Sequence, residues 1–144
     1  FEPKGRGTDI AEAVDYLAKM LAHHTIIFLI SDFFAADIER PLKILAQRHD
    51  VVAVTVEDPR EIALPNVGLA RFVDPESGNT VTVDTSDAGV RKAFEEMVGR
   101  ERAERRQLFR RLAIDEIVVR TDASYIEPLL KFFRARETRG GRRR

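Results

Sequence analysis

Three short apolar runs, separated by segments of helical pattern, constrain the fold of this chain most strongly. They lie at residues 25–30, 51–56 and 117–119 and are rich in valine and isoleucine. Unbroken apolar runs of this length are typical of strands buried on both faces, as in parallel sheets. Because helical patterns separate them, they predict an α/β fold in which helices cover a mostly parallel sheet on both faces.

The helices are predicted from apolar spacing. In the first, Ile10, Val14, Leu17 and Leu21 follow one another at intervals of four, three and four residues, which is one face of a helix. The four predicted helices cover residues 9–22, 37–47, 87–112 and 125–136. The middle of the third is mostly charged, so we expect it to project into solvent or to pack through the stems of its arginines.

A β-hairpin interrupts the alternation of helices and strands. Residues 69–73 and 80–83 flank the turn-rich segment 74–79, which contains proline, glycine and asparagine. We expect this hairpin at the periphery of the domain. The remaining strands, near residues 25–31, 50–56 and 115–120, are predicted to be neighbours in that order.

Charge and cysteine content limit the classes of function. Basic and acidic residues balance at 24 each, so the whole-chain charge does not predict a polyanionic partner. Residues 134–144 contain six arginines and one glutamate, and we predict a domain over residues 1–135 followed by a disordered basic tail at 136–144. The absence of cysteine excludes disulfides and thiolate chemistry and fits the cytoplasm. No apolar run is long enough to predict a membrane span.

Acidic residues follow all three predicted parallel strands. Ligands of such sheets bind beyond the carboxyl ends of the strands, where Asp32, Glu57, Asp58 and Asp122 fall, and the loop of Thr8 emerges at the same edge. These oxygen ligands suit Mg²⁺, Mn²⁺ or Ca²⁺. The structural alternative makes Asp32 a cap on the following helix and the other three acids turn formers or helix caps.

Signals for catalysis are weak, and the chain is predicted not to be an enzyme. His23 and His24 fall at a helix C-terminus, where a cation complements the dipole, and His49 lies at the opposite edge of the sheet from Asp32. Neither a Gly-x-Ser-x-Gly elbow nor a Walker loop is present. A phosphatase that uses Asp32 as nucleophile or metal ligand would want a second aspartate two residues on, where this chain has Phe34.

The ordered set of short segments resembles a known family. Residues 5–10 (Gly-Arg-Gly-Thr-Asp-Ile) and 28–33 (Phe-Leu-Ile-Ser-Asp-Phe) resemble the latter part of a von Willebrand factor A domain. More narrowly, the chain is similar over residues 1–135 to the bacterial family called domain of unknown function fifty-eight. The segments that carry this similarity are 50–54, 58–61, 73–78, 83–86, 121–125 and 128–133. The resemblance implies part of a doubly wound, Rossmann-type sheet, of which this chain is the carboxyl-terminal half.

The resemblance also implies a metal-ion-dependent adhesion site. Thr8 matches the family's metal-binding threonine and Asp32 its metal-binding aspartate. The Asp-x-Ser-x-Ser motif that completes such a site is not in this chain, and we expect it upstream. Two oxygen ligands cannot complete the six-coordinate shell of Mg²⁺, so this chain alone is expected to bind Mg²⁺, Mn²⁺ or Ca²⁺ weakly or not at all.

The implied function is that of a protein-interaction module. Members of the resembled family are often encoded beside MoxR-type AAA+ ATPases and are thought to act with them in the assembly or maturation of other proteins. In the resembled fold, the 25–31 strand pairs with a strand that this chain lacks, so we expect the chain alone to form a homodimer through this edge. The alternatives are a metal-dependent hydrolase, or nucleic-acid binding through the arginine tail and the helix at 100–111, whose glutamates dilute its positive field.

Overall fold

The computed structural model describes residues 10–34, 38–74 and 78–140. In chain order the elements are α1 (Ile10–Met20), β1 (Ile26–Ser31), α2 (Glu39–Arg48), β2 (Asp50–Glu57), α3 (Pro59–Ile62), β3 (Leu69–Val73), β4 (Thr80–Asp84), α4 (Ala88–Arg111), β5 (Asp115–Arg120) and α5 (Ile126–Gly140). The short helix α3 is not predicted by the sequence pattern. None of these helices is both long enough and apolar enough to cross a membrane.

The central sheet is parallel and has the strand order β1-β2-β5. Ile30 of β1 pairs with Val54 of β2, which in turn pairs with Ile117 of β5. The predicted order of the three strands is therefore confirmed. The predicted hairpin is also confirmed, because β3 and β4 pair antiparallel as a separate two-stranded sheet.

The two faces of the central sheet carry different helices. On one face, side chains of α1, α2 and the end of α4 enclose the larger core. This core contains Val14, Ile27, Phe33, Leu42, Leu45, Val51, Ala53, Phe109 and Ile114. On the other face, Leu129 and Phe132 of α5 pack against Val52, Val54 and Ile117. Helices on both faces were predicted, and β2 is the most buried strand because it lies between two neighbours and two helical layers.

A buried hydroxyl closes the open end of the hairpin. Thr85 follows β4 and is fully buried; its hydroxyl donates to the carbonyl of Gly68 at 2.7 Å and accepts from the N–H of Val67 at 3.0 Å. Gly68 has a φ of 77°, which a residue with a side chain adopts only with strain. Phe72 and Val81 of the hairpin stay exposed, so its peripheral position agrees with the prediction.

Helix α5 extends beyond the predicted domain boundary at residue 135. The helix continues to Gly140, and Arg136, which the composition predicts to lie in the basic tail, bridges two strands. Its guanidinium donates to both carboxylate oxygens of Asp50 at 2.6 and 2.7 Å and to Asp115 at 2.8 and 2.9 Å. It also lies 5.0 Å from the ring centroid of Phe132. The predicted boundary at residue 135 thus falls within α5, and residues 141–144 lie outside the described part of the chain.

We expect Arg136→Met to destabilise the fold in a pH-dependent way. The hydrogen bond from Arg136 lowers the pKa of Asp50 below its ordinary value of 3.8. A carboxyl group with a lowered pKa stabilises the folded state above its ordinary pKa, and this contribution is lost as the pH falls through the folded value. The predicted loss is about 1–2 kcal/mol at pH 7, since solvent partly screens the pair.

Urea denaturation of wild type and Arg136→Met at pH 7 and pH 3 measures this loss. The difference between the two proteins should shrink at pH 3. Arg134→Met, exposed on the same helix, is the matched control and should be close to neutral at both values. A difference as large at pH 3 as at pH 7 would show that Arg136 acts through packing and not through its carboxylate partners.

Candidate functional site

The carboxyl ends of the three parallel strands bring the predicted acidic residues to one edge of the sheet. β1 ends just before Asp32, β2 ends at Glu57, and β5 ends two residues before Asp122. The last two strand ends are tied together, because the N–H of Thr121 donates to the carbonyl of Glu57 at 3.0 Å. Thr8 lies outside the described residues, so its approach to Asp32 stays a prediction.

Glu57 is neither a turn former nor a cap, which corrects one expectation. Its side chain is only 7% exposed and is held by two arginines of α4. Arg102 donates through Nε and Nη2 to Oε1 and Oε2 at 2.9 and 2.5 Å, and Arg105 donates through Nη2 to Oε1 at 2.9 Å. The carboxylate is thus fully engaged as the anchor of α4 on β2.

Glu116 of β5 completes a buried charge cluster with Glu57 and the two arginines. Its Oε1 lies 3.5 Å from Nε of Arg105 and accepts a hydrogen bond from the hydroxyl of Thr55 at 2.9 Å. The Nε contact is electrostatic only, since this nitrogen makes no hydrogen bond within the described residues. Two guanidinium groups therefore face two carboxylates, and the cluster is close to neutral.

Asp58 and Asp122 have the structural roles expected as alternatives to metal binding. Asp58 caps α3, since its Oδ1 accepts from the N–H of Arg60 at 2.8 Å. This bond and a second from the hydroxyl of Thr121 lower the pKa of Asp58 below its ordinary value. Asp122 lies in a turn and accepts two hydrogen bonds from Arg120, at 2.9 and 2.8 Å. Both carboxylates are occupied by neighbours in the fold.

Asp32 differs from these residues because the expected capping role is wrong. The N-cap of α2 is Ile38, and among the described residues no side chain makes a capping hydrogen bond to this helix. Asp32 is exposed, and only its Oδ1 takes part in local hydrogen bonds. These come from the hydroxyl of Ser31 and the N–H of Phe34, both at 3.3 Å. Within the described part of the chain it has no salt bridge, so its charge faces solvent.

The chemistry of Asp32 and Ser31 fits a hard divalent cation in part. An exposed carboxylate with a hydroxyl 3.3 Å away offers oxygen ligands of the kind that Mg²⁺ and Ca²⁺ prefer. The nearby arginines do not oppose a cation strongly, because Glu57 and Glu116 balance them. Within residues 10–34, 38–74 and 78–140, no group of three His, Cys, Asp or Glu side chains is placed to hold a metal. The remaining ligands would have to come from Thr8, from water or from residues outside this chain.

Sequence reasoning missed the arginine anchors of α4. The middle of this helix was expected to project outward or pack through arginine stems, whereas the guanidinium of Arg105 itself is buried. A signal was present, since Val98, Arg102, Arg105 and Phe109 follow one another at intervals of four, three and four residues. These residues form one helical face, and two arginines on it needed buried acidic partners.

Comparisons with known proteins identify similar sequences. The chain matches the family described as "Protein of unknown function DUF58" over residues 1–104. It is 33% identical over 135 residues to an uncharacterised protein of Mycobacterium avium, covering 93% of this chain and 79% of that protein. It is 32% identical over 135 residues to an uncharacterised protein of Mycobacterium tuberculosis strain H37Rv, of which it covers 42%. The chain thus spans less than half of this second relative. No solved structure matches the chain.

Proposed function

Because the chain belongs to the family described as Protein of unknown function DUF58, we propose that it is part of a protein-interaction module with a metal-ion-dependent adhesion site. In this proposal the domain is of the von Willebrand factor A type. Asp32 and Thr8 are the metal ligands that this chain contributes. A bound Mg²⁺, Mn²⁺ or Ca²⁺ would supply an open coordination position that attracts a carboxylate of the partner.

The observation that carries the proposal is the position of Asp32. It follows an apolar strand at the carboxyl edge of a parallel sheet, where ligands of such sheets bind. It is exposed, and the described residues give it neither an ion pair nor a helix to cap, whereas Glu57, Asp58 and Asp122 each have such a role. An acidic side chain that contributes little to the fold is a candidate for ligand binding.

The structural roles of the neighbouring carboxylates argue for binding rather than hydrolysis. A metal-dependent hydrolase needs a second group to act as general acid or base, within hydrogen-bond reach of the reacting atoms. Glu57 is enclosed by two guanidinium groups, and Asp122 is paired with Arg120. Position 34, two residues after Asp32, is an exposed phenylalanine. Exposed aromatic residues such as this one are enriched where proteins bind one another.

Ion pairing within the chain argues against nucleic acid as the partner. Arg102 and Arg105 bind Glu57, and Arg111 lies 2.8 Å from Glu39. Arg136 is taken up by Asp50 and Asp115. These arginines would have to leave carboxylate partners to neutralise phosphates, so much of the positive charge seen in the sequence is already compensated.

The partner we propose is a MoxR-type AAA+ ATPase, with which the module would act in the assembly or maturation of other proteins. The cytoplasm is the proposed location, since the chain contains no cysteine. The test is association of the full protein that carries this chain with its ATPase, in Mg²⁺ and after chelation. Association that depends on Mg²⁺ in wild type and is lost in Asp32→Ala supports the proposal, and equal association under all conditions contradicts it.

We further propose that the 144-residue chain forms a homodimer through β1. Within the described residues, this strand pairs with β2 on one side only. Ile26, Phe28 and Ile30 alternate along it and are 55%, 42% and 71% exposed on the face that carries α5. Beside them lies a concavity of about 470 Å³ whose apolar lining includes Val119 and Leu129. An unprotected apolar edge of this kind favours pairing with another chain.

Light scattering at micromolar concentration is expected to give the mass of a dimer for this chain. Ile30→Asp introduces a charge into the exposed edge and should shift the chain to a monomer. Val81→Asp is the matched control, because Val81 is 57% exposed on the hairpin and distant in sequence from β1. A wild-type chain that is monomeric, or a dimer that survives Ile30→Asp, would contradict pairing through β1.

A further inference from the structure

The backbone directly after Asp32 is held in a strained conformation. Phe33 has a φ of 59°, in the left-handed region that residues other than glycine rarely adopt. Its side chain is nonetheless only 6% exposed. A bulky residue in this conformation persists only where its surroundings impose it, and such residues are concentrated at functional sites. The contacts of Phe33 therefore show what fixes the loop that carries Asp32.

The first anchor of this loop is aromatic. The ring of Phe33 lies edge-on to the ring of Phe109 in α4, with centroids 5.2 Å apart and an interplanar angle of 77°. Both rings belong to the larger core. A local hydrogen bond also fixes the backbone of the loop, since Ser31 Oγ accepts from the N–H of Phe33 at 3.0 Å. The aromatic contact thus fixes the loop on the side that faces the core, while Asp32 faces solvent.

The second anchor is polar and comes from the same helix. Nη1 of Arg105 donates to the backbone carbonyl of Asp32 at 3.4 Å. This hydrogen bond is long, but the position of its donor is fixed. The side chain of Arg105 is only 8% exposed and is paired with Glu57 and Glu116. Arg105 and Phe109 are four residues apart and so lie on one face of α4, one turn from each other. The loop is thus held at two successive residues by one side of one helix.

We infer that Arg105 and Phe109 are positioning residues for Asp32: α4 sets the place and direction of the carboxylate that the proposed function assigns to metal binding. The contacts of Arg105 and Phe109 with the loop are independent of the proposed function, but their consequence for metal binding rests on it. Groups that orient a metal ligand without touching the metal usually contribute about 10- to 100-fold to affinity. Displacing α4 would move the Asp32 loop, which makes this helix the element through which the affinity of the site is set.

The experiment uses the full protein that carries this chain, as wild type and as Arg105→Met, Arg105→Lys and Phe109→Leu. Arg105→Lys keeps the charge but loses the planar fork that reaches Glu57 and the carbonyl of Asp32 together. Arg106→Met is the control, since Arg106 is exposed on the same helix. Two quantities are measured: hydrogen exchange of the Phe33 and Phe34 amides without metal, and Mn²⁺ affinity by electron paramagnetic resonance.

We expect faster exchange at Phe33 and Phe34 in all three anchor variants, and Mn²⁺ affinity lowered about 10- to 100-fold. Exchange at the amide of Val54, in the middle of β2, should rise less than exchange at Phe33 and Phe34, and Arg106→Met should match wild type in both measurements. Exchange that rises equally at Val54 and in the loop would assign Arg105 and Phe109 a general structural role and overturn the inference. Unchanged exchange and affinity in the anchor variants would overturn it as well.

Failure of the proposed function gives a different result. If wild type itself binds no Mn²⁺, the metal-site proposal fails, while selective loosening of Phe33 and Phe34 still supports α4 as the anchor of this loop. If wild type binds Mn²⁺ but the anchor variants bind it equally well, the metal site stands and the positioning role is wrong.

Discussion

Glu57→Gln is expected to lower the free energy of unfolding by about 3 kcal/mol, because it leaves two guanidinium groups without their main counter-charge. Arg105 is almost fully buried and cannot turn to solvent, whereas Arg102 is 26% exposed and can recover some hydration. The expected loss therefore lies at the lower end of the range of about 3–5 kcal/mol for breaking a buried ion pair from one side. Glutamine preserves the size of the side chain, so the loss reports charge and hydrogen bonding rather than a cavity.

Urea denaturation followed by circular dichroism measures this loss. Glu61→Gln is the matched control, because Glu61 is an exposed glutamate on the neighbouring helix α3 and should change stability by less than about 0.5 kcal/mol. If the two variants are equally stable, the cluster of Glu57, Glu116 and the two arginines does not hold α4 on the sheet.

In contrast to Glu57→Gln, Asp32→Ala is expected to have little effect on stability but to abolish metal-dependent binding. The side chain is exposed, and the two hydrogen bonds to its Oδ1 are both long, at 3.3 Å. Its removal should therefore cost no more than about 0.5–1 kcal/mol of folding free energy. The anchors of the loop, Phe109 and Arg105, contact the ring of Phe33 and the backbone of Asp32, so they remain in place.

Asp122→Ala is the appropriate comparison for this variant. Asp122 lies at the same edge of the sheet, is an aspartate, and is paired with Arg120 on the surface. We expect it to leave Mg²⁺ binding by the full protein unchanged. Equal losses in Asp32→Ala and Asp122→Ala would indicate a general effect of negative charge at this edge rather than a ligand at position 32.

Most of the fold could be predicted from sequence because its signals are local and periodic. The unbroken apolar runs gave β1, β2 and β5 as parallel strands, and turn residues between two short runs gave the hairpin. Composition is a weaker guide where charged side chains find partners. It predicts a solvated tail from residue 136, but Asp50 and Asp115 compensate the charge of Arg136, and these partners lie 86 and 21 residues away in the chain.

The candidate site was predictable in outline but not in its detail. The positions of Asp32, Glu57, Asp58 and Asp122 at one edge follow from topology alone. Which of these carboxylates is available to a ligand depends on long-range partners, such as the arginines of α4 around Glu57, and no local pattern encodes them. The left-handed conformation of Phe33 was likewise beyond prediction, since it results from tertiary contact with Phe109.

We propose that Asp32 holds a divalent cation at the edge where a partner protein binds. Isothermal titration calorimetry of Mg²⁺ into the full protein that carries this chain tests it most directly, with wild type, Asp32→Ala and Asp122→Ala compared at equal concentration. We expect heat of binding for wild type and Asp122→Ala and none for Asp32→Ala, with all three proteins folded. Mg²⁺ affinity that is the same in Asp32→Ala and wild type would contradict it.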